Sequence, residues 1–137
     1  MSNQEETVDN STAWPKELFA ITLFAEDLGS TKAFYQRVFG LPIYFEGPTS
    51  AVFKFGGTLI NLLKIEQADE LIAPAQAADR DGGTRFVLTI PVDDVDEMCA
   101  ELLRRGVTLL NGPMDRPWGI RTASFCDPAG NIWEIAK

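Results

Sequence analysis

The amino-acid sequence predicts an α+β domain of two tandem βαβββ modules, with a curved mixed sheet around a cleft and helices on the outer face. Three observations lead there: a strand–helix–three-strand pattern over residues 18–66, its restart over 85–137, and an in-order match between the two stretches. With 137 residues, 45% of them hydrophobic, the chain has one domain's length and enough apolar material to bury a core.

The elements follow from periodicity. Residues 1–17 show none and read as a flexible tail, in which Trp14-Pro15 is a candidate to dock on the body or on a partner subunit. Leu18–Ala25 alternates as a strand does. From Leu28 the period becomes helical: Phe34 and Val38 lie one turn apart, as do Tyr35 and Phe39, and Gly40 stands where a helix end favours a left-handed residue. Pro42–Glu46, Ala51–Phe55 and Thr58–Ile65 read as strands, the last two joined at Gly56-Gly57. Residues 67–84, rich in Ala, Asp and Gly, read as a crossover linker with one short helix. Phe86–Val92 then restarts the pattern as a strand. Asp94 and Glu97 form a capping box for a helix with Val95, Cys99 and Leu102 down one side, ending at Gly106. Val107–Leu110, Arg121–Cys126 and Asn131–Ala136 complete the second module, and Asp127-Pro128-Ala129-Gly130 suits a type I turn.

One constant offset places Ile21-Thr22-Leu23 on Leu88-Thr89-Ile90, Glu26-Asp27-Leu28 on Asp93-Asp94-Val95, and Arg37 on Arg104. A slightly longer one places Gly57 on Gly130, Ile60 on Trp133, Asn61 on Glu134 and Lys64 on Lys137. Each match is short; together and in order they indicate duplication. Strand alternation then assigns faces. Ile21, Leu23, Leu88 and Ile90 meet helices, whereas Ala20, Thr22, Phe24, Val87, Thr89 and Pro91 face the cleft. Asn61 shares a side with Leu59 and Leu63, and Glu134 with Ile132 and Ala136.

Composition excludes several functions. A net charge of −8 opposes nucleic-acid binding, and no apolar run approaches the ~20 residues of a membrane span. The polar, acidic N-terminus is unlike a signal peptide, and two cysteines, Cys99 and Cys126, make no disulfide framework, so a cytoplasmic location is expected. Nothing resembles a nucleophile elbow, a phosphate-cradling loop or a dinucleotide fingerprint.

Pro117-Trp118-Gly119-Ile120-Arg121, Phe125, Asp127-Pro128-Ala129-Gly130-Asn131 and Trp133-Glu134 resemble the closing motif of the vicinal oxygen chelate superfamily. That superfamily includes glyoxalase I, extradiol dioxygenases, fosfomycin-resistance enzymes and bleomycin-resistance proteins. Phe34-Tyr35 through Gly40-Leu41 is similar to its first helix and exit, and the resemblance spans residues 18–137. Metal-using members take ligands from four cleft positions, which correspond here to Ala20, Asn61, Val87 and Glu134. Two of these side chains have no donor atom and a third is a neutral amide, and the chain holds no histidine. No metal and no cofactor are therefore expected. The resemblance then implies the metal-free, bleomycin-resistance-like branch: a cytoplasmic homodimer that binds a planar or cationic small molecule, with antibiotic resistance by sequestration as its role.

Trp118 leads the expected ligand-binding residues, because an indole face suits stacking and cation–π contact; the alternative is a core or interface residue. Asn61, Thr22, Phe24, Thr89 and Arg121 complete the expected set. Glu134 is the catalytic candidate if the protein is an enzyme, since a lone carboxylate in an apolar cleft suits acid–base work. The alternative for Glu134 is a salt bridge with Arg121 on the neighbouring strand. Two further classes stay open: a superfamily enzyme (a lyase, isomerase or dioxygenase-like protein) using Glu134 or an atypical metal site, and a non-catalytic structural or regulatory module.

Overall fold

The computed structural model describes residues 13–137. Residues 1–12 of the expected tail lie outside that range, and Trp14 projects with 88% of its surface exposed. The first module comprises β1 (Ala20–Ala25), α1 (Leu28–Phe39), β2 (Phe45–Glu46), β3 (Ser50–Phe55) and β4 (Thr58–Lys64). A four-residue helix, α2 (Asp69–Ile72), lies in the linker. The second module comprises β5 (Val87–Pro91), α3 (Val95–Arg104), β6 (Asn111–Asp115), β7 (Arg121–Cys126) and β8 (Ile132–Ala136).

Each module makes its own four-stranded mixed sheet, ordered β1-β4-β3-β2 and β5-β8-β7-β6. The first strand of each module pairs parallel with the last, and the remaining pairs are antiparallel. The crossover that parallel pairing demands is the helix. Both helices start on an aspartate: Asp27 accepts from Ser30 N at 3.1 Å, and Asp94 from Glu97 N at 3.0 Å. Gly40 ends α1 at φ 66°, which a side chain would oppose.

The two helix-covered faces share one core. Tyr35 of α1 packs on Phe53 of β3 and Trp133 of β8, and Phe55 of the first sheet stacks on Trp133 with ring centroids 5.2 Å apart. Leu23, Ile60, Leu102, Phe125 and Ile135 join the same buried cluster. Each large apolar side chain buried there contributes about 1.5–3 kcal/mol. The helix ends are tied as well: Arg105 donates to the Val38 carbonyl, and Arg37 to the Arg105 carbonyl.

One expected strand is displaced. Val107–Leu110 forms no ladder, and β6 is instead Asn111–Asp115. Val107 is buried in the core, and Leu109 packs against it. The run's hydrophobicity therefore reflects core filling, while strand pairing falls to Asn-Gly-Pro-Met-Asp. That sequence is a poor strand former, tolerated because β6 is an edge with an irregular register between Asn111 and Met114.

Candidate functional site

The helix-free face of each sheet carries one row of residues in register. On the first sheet, Thr22 pairs with Asn61, Asn61 with Val52, and Val52 with Phe45. On the second, Thr89 pairs with Glu134, Glu134 with Ser124, and Ser124 with Asn111. The repeat that aligns Thr22 with Thr89 and Asn61 with Glu134 in sequence puts them at equivalent places. The side chains bond alike: Asn61 Nδ2 donates to Thr22 Oγ1 at 3.3 Å, and Thr89 Oγ1 donates to Glu134 Oε1 at 2.8 Å. Both rows lie on the far side of their sheets from the shared core, so within one chain they occupy separate surfaces.

Thr22 and Phe24 also line a cavity of about 270 Å³ under the linker, together with Ile72, Arg80, Phe86 and Gly130. Two bonds hold the linker there: Arg80 N donates to Glu26 Oε2 at 2.7 Å, and the Arg80 guanidinium donates to the Pro128 carbonyl. Thr89 lines a second depression of about 560 Å³, formed with Phe39, Phe55 and Pro91.

Arg121 does not pair with Glu134. Alternation along β7 puts Arg121 on the side of Ala123 and Phe125, facing α3, where it bonds Asp96 at 2.9 Å and Asp115 at 3.0 Å. Those bonds, to Asp96 first and Asp115 second, hold its guanidinium pKa above the ordinary arginine value. Both the expected salt bridge and the expected place of Arg121 on the cleft side are thus corrected: the residue after the Pro-Trp-Gly turn has the parity of the core.

Arg85 lines the cavity beside Thr22 and Phe24, whereas an arginine that does reach the helix-free face of the second sheet is Arg116, which the sequence did not single out. Its Nε donates to Thr122 Oγ1 at 2.7 Å and its Nη2 to Asn111 Oδ1 at 2.9 Å. Thr122 has the parity of Ser124, and Asn111 lies in the Glu134 row, so the guanidinium rests on the helix-free face. Only the strand-to-turn placement of Arg116 hinted at this, and the displaced β6 concealed it.

Trp118 sits in the turn between β6 and β7, which is closed by a bond of 3.0 Å from Gly119 N to the Arg116 carbonyl. It is 68% exposed, which removes the core alternative for it.

The donor set decides whether these faces fit a metal. Ala20 and Val87 offer no ligating atom, the Asn61 amide is a weak donor, and Glu134 is the only carboxylate among the four positions. Among the described residues, no three His, Cys, Asp or Glu side chains come together. A catalytic transition-metal centre needs about three protein ligands of imidazole, thiolate or carboxylate type. These residues do not fit one.

Comparison with known proteins agrees with the fold. The family model of the glyoxalase/bleomycin resistance protein/dioxygenase superfamily matches residues 17–135. The chain is similar to the Bacillus subtilis protein YraH, described as uncharacterized, with 34% identity over 125 residues covering 88% of this chain and 98% of that protein. A Nocardioides glyoxalase/bleomycin resistance protein/dioxygenase superposes with a TM-score of 0.82 at 22% identity, covering 98% of this chain and 89% of the other. A lactoylglutathione lyase from Agrobacterium tumefaciens superposes with a TM-score of 0.72 at 25% identity, covering 89% and 93%. The chain therefore belongs to the glyoxalase/bleomycin resistance/dioxygenase superfamily.

Proposed function

We propose that the protein is a metal-independent, small-molecule-binding member of this superfamily that sequesters a drug or metabolite. The observation that carries this reading is the donor set at the four ligand positions, where one carboxylate and one amide replace a metal-binding constellation and each bonds a threonine. Without a Lewis acid, the metal-assisted route to the superfamily's chemistry lacks its electrophile. What remains is two helix-free faces with polar rows, and an exposed indole in the turn between β6 and β7.

In this reading Trp118 stacks on a planar, cationic ligand, and Thr22, Phe24, Asn61 and Thr89 line its surroundings. Arg121 is left out, because it faces α3. The working form is a homodimer. The two rows stay apart within a chain, and Phe19 and Phe86, equivalent in the repeat, leave apolar surface exposed beside the unpaired edges of β1 and β5. A second copy laid over these edges encloses both rows. Two free cysteines support a reducing, cytoplasmic setting.

A second reading is an enzyme with Glu134 as acid or base, favoured by the similar chain named a lactoylglutathione lyase. One set of variants tests both. Calorimetric titration with ethidium, acridine orange and bleomycin should show saturable binding weakened about tenfold or more in Trp118→Ala, because stacking and cation–π contact together are worth about 1.4 kcal/mol or above. Equal binding by that variant removes Trp118 from the site. Turnover of an α-ketoaldehyde–thiol adduct that Glu134→Gln abolishes, with the fold intact, establishes the enzyme instead.

A further inference from the structure

We propose that the helix-free face of the second sheet is a zwitterion site, in which Glu134 faces the ligand's cationic nitrogen and Arg116 its carboxylate. This rests on the reading that the ligand lies on the helix-free faces, and it names the ligand's chemical class.

The two charges share a face but do not pair. Glu134 accepts from Thr89, Arg116 donates to Thr122 and Asn111, and neither takes part in an ion pair among the described residues. Both are half-buried. Charges in such positions favour compensation by an opposite charge. The two anchors of Arg116 are Thr122, one strand from β8 and two residues along from the partner of Glu134, and Asn111, two strands away, which leaves a gap of roughly 8–10 Å between the guanidinium and the β8 carboxylate. That gap exceeds a direct hydrogen bond and matches a small molecule carrying both signs. Each group also keeps free capacity. Two of the five guanidinium N–H groups are used, which leaves donors for a carboxylate, and Glu134 retains Oε2.

The first sheet serves as an internal control. At the equivalent positions it holds the neutral row Thr22, Asn61, Val52 and Phe45, and the sheet forms with the same strand order. The fold therefore does not require a charged pair on this face. Neutral partners hold the charges apart: Thr89 fixes the carboxylate from the sheet edge, while Thr122 and Asn111 fix the guanidinium from the other side. Trp118 is exposed in the same turn, two residues after Arg116, and an indole there suits stacking, so the probe chosen is a small zwitterion with an aromatic ring.

Three probes separate the charges: tryptophan carries both, its methyl ester only the cation, and N-acetyltryptophan only the anion. Titration calorimetry of the full chain should show the zwitterion bound at least tenfold tighter than either singly charged form. Arg116→Gln should close the gap between zwitterion and ester while leaving the gap to the N-acetyl form, and Glu134→Gln should do the reverse. Arg116→Lys should restore part of what Arg116→Gln loses, with circular dichroism confirming the fold of each variant. Equal affinity for the three forms, no binding of any of them at millimolar concentration, or a uniform loss of all three in Arg116→Gln would overturn the proposal. If these probes fail while the planar cations still bind and Trp118→Ala still weakens them, the ligand class is wrong and the binding face stands. If both fail, the face falls with it.

Discussion

Tyr35 joins the two modules through a buried polar contact. Its hydroxyl donates to Asp127 Oδ2 at 2.9 Å and accepts from Trp133 Nε1 at 3.1 Å. Asp127 is 1% exposed, and no cation pairs with it among the described residues. Its charge is held by donors instead: the Ala129 and Asn131 amides on Oδ1, with the Asn131 side chain and Tyr35 on Oδ2. Burial first, and the Asp127 charge second, push the Tyr35 hydroxyl well above the ordinary tyrosine value of 10.0. The sign follows from linkage. A pKa raised on folding contributes stability that is complete below the unfolded value and declines as pH rises past it. Stability should thus fall above pH 10 as the unfolded chain ionises at this residue and the folded one does not. Tyr35→Phe should lower unfolding stability by about 1–3 kcal/mol at neutral pH, because Asp127 loses a donor and the Trp133 N–H loses its acceptor. It should also flatten the alkaline decline. Urea unfolding at neutral and alkaline pH measures both, and an unchanged alkaline slope would assign the decline to other groups.

At the scale of elements, β6 shows where pattern reading works and where it stops. The helices were legible from spacing and caps: Asp94 and Gly40 mark two of their ends in sequence and do so in space, while the Asp27 cap of α1 emerged only from the structure. β7 was legible because Arg121–Cys126 is a compact strand-forming run bounded by a turn. β6 was not, because its pairing depends on a close approach that no local pattern encodes. A Cβ on Gly112 would lie 2.5 Å from the Thr122 carbonyl oxygen and 2.7 Å from Ala123 Cα, and its φ is +85°. Only glycine fits there. Gly112→Ala should therefore cost more than ~2 kcal/mol and should loosen Arg116, whose partner Asn111 precedes it. Gly119→Ala is the control, since its Cβ would meet open space at φ +96°, so it should cost only the left-handed penalty of about 1–2 kcal/mol. Equal losses in the two variants would show that the contact with β7 is not what demands glycine.

Across the whole molecule, duplication sets both the architecture and the places where function sits. The repeat was readable because a helix end, a strand start and a hairpin turn recur in order, and from sequence alone it puts Thr22–Asn61 and Thr89–Glu134 at matching places. It could not show that the helix-covered faces share one core, with Tyr35, Phe55 and Trp133 locking the sheets together and the polar rows turned outward. Nor could it distinguish Arg116 from Arg121. Which arginine reaches the ligand face depends on strand parity and on a turn whose geometry follows from β6. The four ligand positions come from the family resemblance alone; what the sequence itself supplies is the donor chemistry of Ala20, Asn61, Val87 and Glu134.

The central claim is that these four positions cannot hold a catalytic ion. Its most direct test is calorimetric titration of chelator-treated protein with Zn²⁺, Ni²⁺ and Mn²⁺, alongside the unfolding temperature with each ion. No saturable stoichiometric binding and no rise in unfolding temperature are expected, since a ligand selective for the folded state necessarily stabilises it. Stoichiometric, sub-micromolar binding that Glu134→Gln abolishes would contradict it.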